Sequence, residues 1–159
     1  MDTRIVFSTD NIAGRAPDAQ DAGLYGRLFG KCGLKELQRN MHDYERHRIA
    51  PWTLSFGGTD MGVGGFRLGF GQDDGMELTF AVLPEPLPVG ISAEFLSAAL
   101  VFAVSGLRAD RVFCLSDGDA ALSPRMLLQA GFSDARAAPG PGRPDLRLMR
   151  WTAATPSRA

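Results

Sequence analysis

The stretch MELTFAVLPEPLPVGISAEFLSAALVFAVSGL, residues 76–107, decides how the rest of the chain is read. Over MELTFAVL (76–83), Met76, Leu78, Phe80 and Val82 alternate with Glu77, Thr79 and Ala81, which is the two-residue period of a strand. Pro84, Pro86 and Pro88 then end any ladder, because proline has no N–H to give it. ISAEFLSAALVFAVSGL (91–107) follows and is apolar on almost every side, as expected of a helix packed deep against a sheet. A strand, a proline-rich turn with a single Gly90 and a long helix admit two uses. One is a plain turn. The other is an anion site, since the first N–H groups of a helix lack partners within it and carry the positive end of its dipole.

Working outward, TRIVFS (3–8) reads as an opening strand and NIAGRAP (11–17) as a loop. Ala22, Leu24, Tyr25, Leu28 and Phe29 have helical spacing that stops near Gly30 to Gly33. A second helix runs from Leu34 to Arg48, with Leu34, Leu37, Met41 and Tyr44 on one face and Arg39, Asp43, Glu45, Arg46 and Arg48 on a wet one. WTLSF (52–56) and GVGGFRLGF (62–70) form a hairpin about GGTD, and GQDDG (71–75) is the next turn. Downstream come a buried strand RVFCL (111–115), a turn SDGD (116–119) and a short helix SPRMLLQA (123–130), opened by Pro124 and closed by Gly131. AAPGPGRP (137–144) is a loop and DLRLMRWT (145–152) a last strand. The order is strand, two helices, three antiparallel strands, helix, strand, helix, strand. That is a mixed α/β layered fold, expected as one domain over 1–152 with a disordered tail at 153–159.

At 159 residues the chain suits one domain with a sizeable core. Seventeen basic against eighteen acidic residues leave no global field to attract nucleic acid or an anionic membrane. The N-terminus shows no basic segment followed by an apolar one, and no run of about 18 apolar residues spans a membrane. A soluble cytoplasmic protein is expected. Cys32 and Cys114 belong to no CxxC or Cys/His pattern, so they are expected as buried thiols, with no disulfide and no metal. GGTDMGVGG lacks the lysine and Ser/Thr of a phosphate-binding loop, and GFGQDDG precedes a strand rather than a helix, so both are read as hairpin turns. Neither Asp73 with Asp74 nor SDGD has calcium-loop spacing, and His42 and His47, five apart, do not align as ligands.

Two linked segments remain: ELTFAVLPEPLPVGISAEFL (77–96) and LSPRMLLQAGF (122–132). Together they resemble the GNAT superfamily of acetyl-CoA-dependent N-acetyltransferases, in particular its branch of ribosomal-protein and small-molecule acetyltransferases, over roughly 34–152. Glu77, Phe80, Pro84, Gly90 and Glu94 match the first motif; Ser123, Arg125, Leu127, Gly131 and Phe132 match the second. The resemblance implies a GNAT-like fold, a central mostly antiparallel sheet flanked by helices and splayed between the strand ending at Leu83 and the strand at 111–115. A pantetheine arm would enter there. It implies acetyl-CoA as co-substrate, Glu77 as base acting through water, and a backbone N–H at Val82 or Leu83 holding the thioester carbonyl. A pyrophosphate would sit on the N–H groups of Val89, Gly90, Ile91 and Ser92, with Ser123 as proton donor and Asp119 or Ser123 in place of an asparagine that is Ala120 here.

The pattern also departs from the family at Leu87, Pro88 and Val89, where polar or basic residues and one N–H are replaced. Two expectations follow. The first is transfer of an acetyl group to a primary amine of a small molecule or a protein N-terminus. The second is a degenerate GNAT-like domain that binds a ligand or partner without catalysis. The sequence leaves a homodimer and the identity of the acceptor open; the resemblance implies an acceptor pocket built from the two N-terminal helices and the loop at 138–144.

Overall fold

A computed structural model describes residues 5–68, 75–137 and 146–153. Residues 71–74 of the expected turn, with Asp73 and Asp74, the loop at 138–144 and the tail from 154 lie outside the described residues. Strand β1 (Ile5–Ser8) and strand β2 (Ile12–Arg15) open the chain. Two short 3₁₀ turns, Ala19–Asp21 and Gly30–Cys32, precede helix α1 (Ala22–Phe29) and helix α2 (Gly33–His47). Then follow β3 (Trp52–Phe56), β4 (Thr59–Arg67), β5 (Met76–Val82), α3 (Ile91–Ser105), β6 (Arg111–Ser116), α4 (Pro124–Gln129), β7 (Ser133–Ala137) and β8 (Arg147–Thr152).

The strands form one sheet in the order β1-β2-β3-β4-β5-β6-β8-β7. Neighbours are antiparallel throughout except β5 and β6, which are parallel because α3 carries the chain back across the sheet between them. That parallel seam is short. Pairing is confined to Met76 with Val112 and Glu77 with Phe113. Beyond it β5 continues in register with β4 as far as Val82, while β6 continues with β8 as far as Ser116, so the two halves of the sheet part company.

Alternation along β5 assigns its two faces. Leu78 is buried beneath α3, where Phe80 stacks on Phe95 with ring centroids 4.3 Å apart. Trp52 joins the same layer, stacked on Phe7 at 4.3 Å and edge-on to Phe102 at 5.0 Å. On the opposite face Val63 and Leu83 pack with Leu24, Tyr25 and Leu37 of α1 and α2. An ionic staple closes the far end of that layer. Arg15 pairs with Asp21 at 2.8 Å and with Asp60 at 2.9 Å, and the buried Thr53 hydroxyl donates to Asp21 at 2.7 Å.

Several readings change. NIAGRAP contains a strand rather than a loop: Gly14 sits against the Cβ atoms of Trp52 and Phe7, where an added Cβ would lie 3.2 and 3.3 Å away, so it marks close packing and not a turn. Strand β7 was not anticipated, being a polar strand that, among the described residues, pairs with β8 alone. In GGTDMGVGG only Gly57 and Gly58 make the turn, and the later glycines lie within β4. Helix α3 is buried along one side and leaves Val101 and Val104 exposed. Cys114 is buried but Cys32 is exposed, and both are free.

The α3 layer rests on Phe95, which is fully buried and stacked on Phe80. Phe95→Ala is expected to lower unfolding stability by about 3–5 kcal/mol, measured by urea denaturation; a loss below about 1 kcal/mol would mean that the layer collapses around the gap.

Candidate active site

The parting of β5 and β6 opens a cavity of about 460 Å³. Phe29 and Glu36 reach it from the helices, Val63 and Arg67 from β4, and Glu77, Thr79 and Ala81 from the outward face of β5. Cys114 and Leu115 of β6 form the far wall, with Ala120 and Leu122. The last two are brought in because the buried Ser116 hydroxyl donates to the Leu122 carbonyl, folding residues 117–122 back over the end of β6. A neighbouring cavity of about 400 Å³ shares Leu115 and Ala120 and contains Asp117 and Asp119.

Backbone geometry sharpens which amides face the gap. The Leu83 N–H donates to the Met61 carbonyl at 2.9 Å. In an antiparallel ladder successive residues turn their N–H groups to opposite sides, so odd-numbered residues of β5 point to β4 and even-numbered ones away from it. Leu83 is therefore removed as a carbonyl donor. Phe80 and Val82, beyond the last pair with β6, turn their N–H groups into the gap. At about 3.3 Å per residue Phe80 lies about 10 Å along the strand from Glu77 and Val82 about 16 Å. One bridging water and a glutamate side chain span the first distance and not the second. The Phe80 amide was missed from sequence because parity is set by the ladder; only the register of the hairpin reveals it.

Glu77 itself is half-buried on the cavity wall. Burial pushes its carboxyl above the usual range, Arg67 and then Arg39 bring it down, and Glu36 pushes it up again. Across the gap the Cys114 thiol is pushed up to about 12 by burial and by the Glu77 charge, so it stays protonated. Behind the wall Tyr25 is fully buried; burial pushes its phenol up to about 12, and its oxygen accepts from Asn40 at 2.7 Å.

The turn before α3 has fewer donors than expected. Gly90, at φ 86°, takes the left-handed conformation that frees the chain to start the helix. The Ile91 N–H is engaged with the Pro88 carbonyl at 3.2 Å, and the Ile91 side chain is buried. Ile91 therefore drops out of the cradle, leaving the amides of Val89, Gly90 and Ser92; the Val89 side chain stands fully in solvent. Beside this turn, Arg27 of α1 pairs with Glu85. Glu94 is held by Thr9 and by Asn11, whose side chain donates to it at 2.6 Å, so it ties α3 to the β1–β2 turn instead of facing the gap.

Ser123 does not line the cavity. Its hydroxyl accepts the Met126 N–H at 3.2 Å and caps α4, directly before Pro124 at the first helical position. Among the described residues no group of three or more His, Cys, Asp and Glu is placed to hold a metal ion, and no helix is long and apolar enough to cross a membrane.

No protein-family model matches the sequence, and no curated protein matches it. Solved structures do match in fold. A GNAT-family acetyltransferase from Bacillus anthracis aligns with a TM-score of 0.69 at 12% identity, covering 92% of this chain and 97% of that one. RimL, the ribosomal L7/L12 alpha-N-protein acetyltransferase, aligns at 0.73 and 16% identity over 93% of this chain and 97% of its own. The microcin C7 self-immunity acetyltransferase MccE, solved with acetyl-CoA and AMP, aligns at 0.72 and 12% identity over 91% and 94%. The chain has the GNAT acyltransferase fold, with the expected mostly antiparallel sheet between helices.

Because Ser123 caps a helix, Ser123→Ala is expected to cost about 1 kcal/mol of stability, measured by chemical denaturation. A stability equal to that of the unsubstituted protein would contradict the capping role.

Proposed function

We propose that this protein is an acetyl-CoA-dependent N-acetyltransferase that moves an acetyl group to a primary amine, of a small molecule or a protein N-terminus, with residues 1–152 acting as one domain. The observation that carries the reading is the coincidence, at one parting of the sheet, of two unladdered amides on β5, those of Phe80 and Val82, and the half-buried carboxylate of Glu77 earlier on the same strand. An amide-bearing pantetheine chain fits against such an edge as a further strand would. The amides of Val89, Gly90 and Ser92 at the start of α3 suit its pyrophosphate.

In this mechanism the thioester carbonyl accepts the Phe80 N–H, and the Val82 amide pairs with the pantetheine arm. The amine enters from the side of α1 and α2, where Phe29 and Glu36 line the cavity. Its nitrogen attacks the carbonyl carbon, and the N–H of Phe80 stabilises the negative charge that collects on oxygen. Glu77 accepts the proton leaving nitrogen, through one water. The tetrahedral intermediate collapses, the C–S bond breaks, and the departing thiolate takes a proton from solvent at the open mouth of the gap. Asp119, which lines the adjoining cavity, would contact the same arm where it leaves the sheet. Neither Ser123 nor Cys114 is needed for proton transfer, the first being a cap and the second a buried, firmly protonated thiol.

The loss of donors at Pro88 and Ile91 predicts modest affinity for the nucleotide half of the donor and leaves the chemistry intact. For this reason catalysis is favoured over a degenerate binding role: the departures lie in the cradle, and the cavity retains its carboxylate. Glu77→Gln is expected to lower kcat by roughly 10²–10⁴ with the KM for acetyl-CoA unchanged, in a thiol-release assay over a panel of amines. Full activity in that variant would overturn the assignment of the base.

A further inference from the structure

Glu77 shares its wall with a cation that is built into the fold. Arg67 is its partner across the β4–β5 ladder, so the two side chains leave the sheet on the same face from Cα atoms about 5.5 Å apart. The Arg67 side chain is only 13% exposed and is fixed from α2. Its Nη2 donates to Glu36 at 2.7 Å and to the Asn40 carbonyl oxygen at 2.9 Å. Asn40 is itself buried and donates onward to the Tyr25 hydroxyl, so one hydrogen-bonded chain joins α1, α2 and β4 behind the cavity. The Arg67 Nε is buried with no hydrogen-bond partner. The Nε of Arg15, in the staple to Asp21 and Asp60, is unpartnered in the same way, so it is the position of Arg67 opposite Glu77 that sets it apart.

We propose that Arg67 is a positioning residue for acetyl transfer: locked by Glu36 and Asn40, it holds a fixed positive charge beside Glu77 so that the base is ionised as the amine arrives, and Glu36 sets how much of that charge Glu77 feels. This rests on the reading of Glu77 as the base. The groups facing Glu77 are Arg67 from β4, Arg39 and Glu36 from α2 and the protonated Cys114 from β6, while α1 brings the uncharged Phe29 to the cavity. Without a neighbouring cation a carboxyl at this depth stays protonated to higher pH and cannot accept a proton. Arg39 is exposed and screened by solvent; Arg67 is neither.

The signs of two substitutions separate this role from a merely structural one. Carbon-13 NMR of the glutamate side chains follows the Glu77 titration directly, and the acid limb of kcat/KM follows it in turnover. Arg67→Met is expected to move the Glu77 midpoint, and with it the acid limb, up by about one pH unit or more. Arg67→Lys should bring it back toward the original. Glu36→Gln, which removes a competing anion, should move it down. A structural role lowers thermal stability in both Arg67→Met and Glu36→Gln and leaves the Glu77 midpoint where it was, which would overturn the proposal. If Arg67→Met does not fold, Arg67→Gln, which keeps an amide donor for Glu36 but no charge, is read in its place: an upward shift of the Glu77 midpoint supports the proposal and an unchanged midpoint overturns it. The carboxyl signal needs no turnover, so absence of acetyl transfer in the unsubstituted protein would refute the acetyltransferase reading while this test still gives its own answer.

Discussion

The structure depends on a hydrogen-bonded seam that stops early. Strands β5 and β6 are joined at Met76 with Val112 and at Glu77 with Phe113, and nowhere further along. Each is then held to its other neighbour, β5 to β4 and β6 to β8, and these antiparallel ladders twist apart. A sheet cannot carry unpaired amides into its interior without cost, so the parting either fills with protein or stays open to a ligand that can pair with it. Here residues 117–122 occupy part of it, held by the Ser116 hydroxyl. The rest remains as the cavity between Glu77 and Leu115.

The same seam sets the electrostatics. Because Glu77 belongs to its last rung, the carboxylate lies where the sheet is still closed behind it and the cavity begins in front. Burial raises its proton affinity, and the cations at Arg67 and Arg39 restrain that rise. The layer beneath α3 is apolar, stacked through Phe80 and Phe95, and takes no part in this balance. The two faces of β5 thus divide the work: Leu78 and Phe80 fix the strand against α3, and Glu77, Thr79 and Ala81 face the cavity.

Much of this was legible in the sequence, and the limits are instructive. Period and proline gave β5, α3 and their order, and the two linked motifs pointed to the GNAT fold that the solved structures share. Strand β2 was hidden because a glycine needed for packing against Trp52 looks the same in sequence as one needed for a turn. Strand β7 was hidden because its sequence, SDARA, holds no apolar residue larger than alanine to mark a two-residue period. At the site, the resemblance singled out Glu77, yet the direction of each amide depends on ladder parity, which separated Phe80 from Leu83. Arg67 was overlooked although it is a lone charge between apolar residues, Phe66 and Leu68; the pairing of the two charges becomes visible only once the hairpin register is known.

The central claim is that the gap between β5 and β6 receives the thioester. Amide hydrogen exchange at single-residue resolution, with and without acetyl-CoA, tests it most directly. The account predicts that the N–H groups of Phe80 and Val82 become protected on binding while that of Leu83, already bonded to Met61, changes little. Protection confined to residues outside the gap, with Phe80 and Val82 exchanging as before, would contradict it.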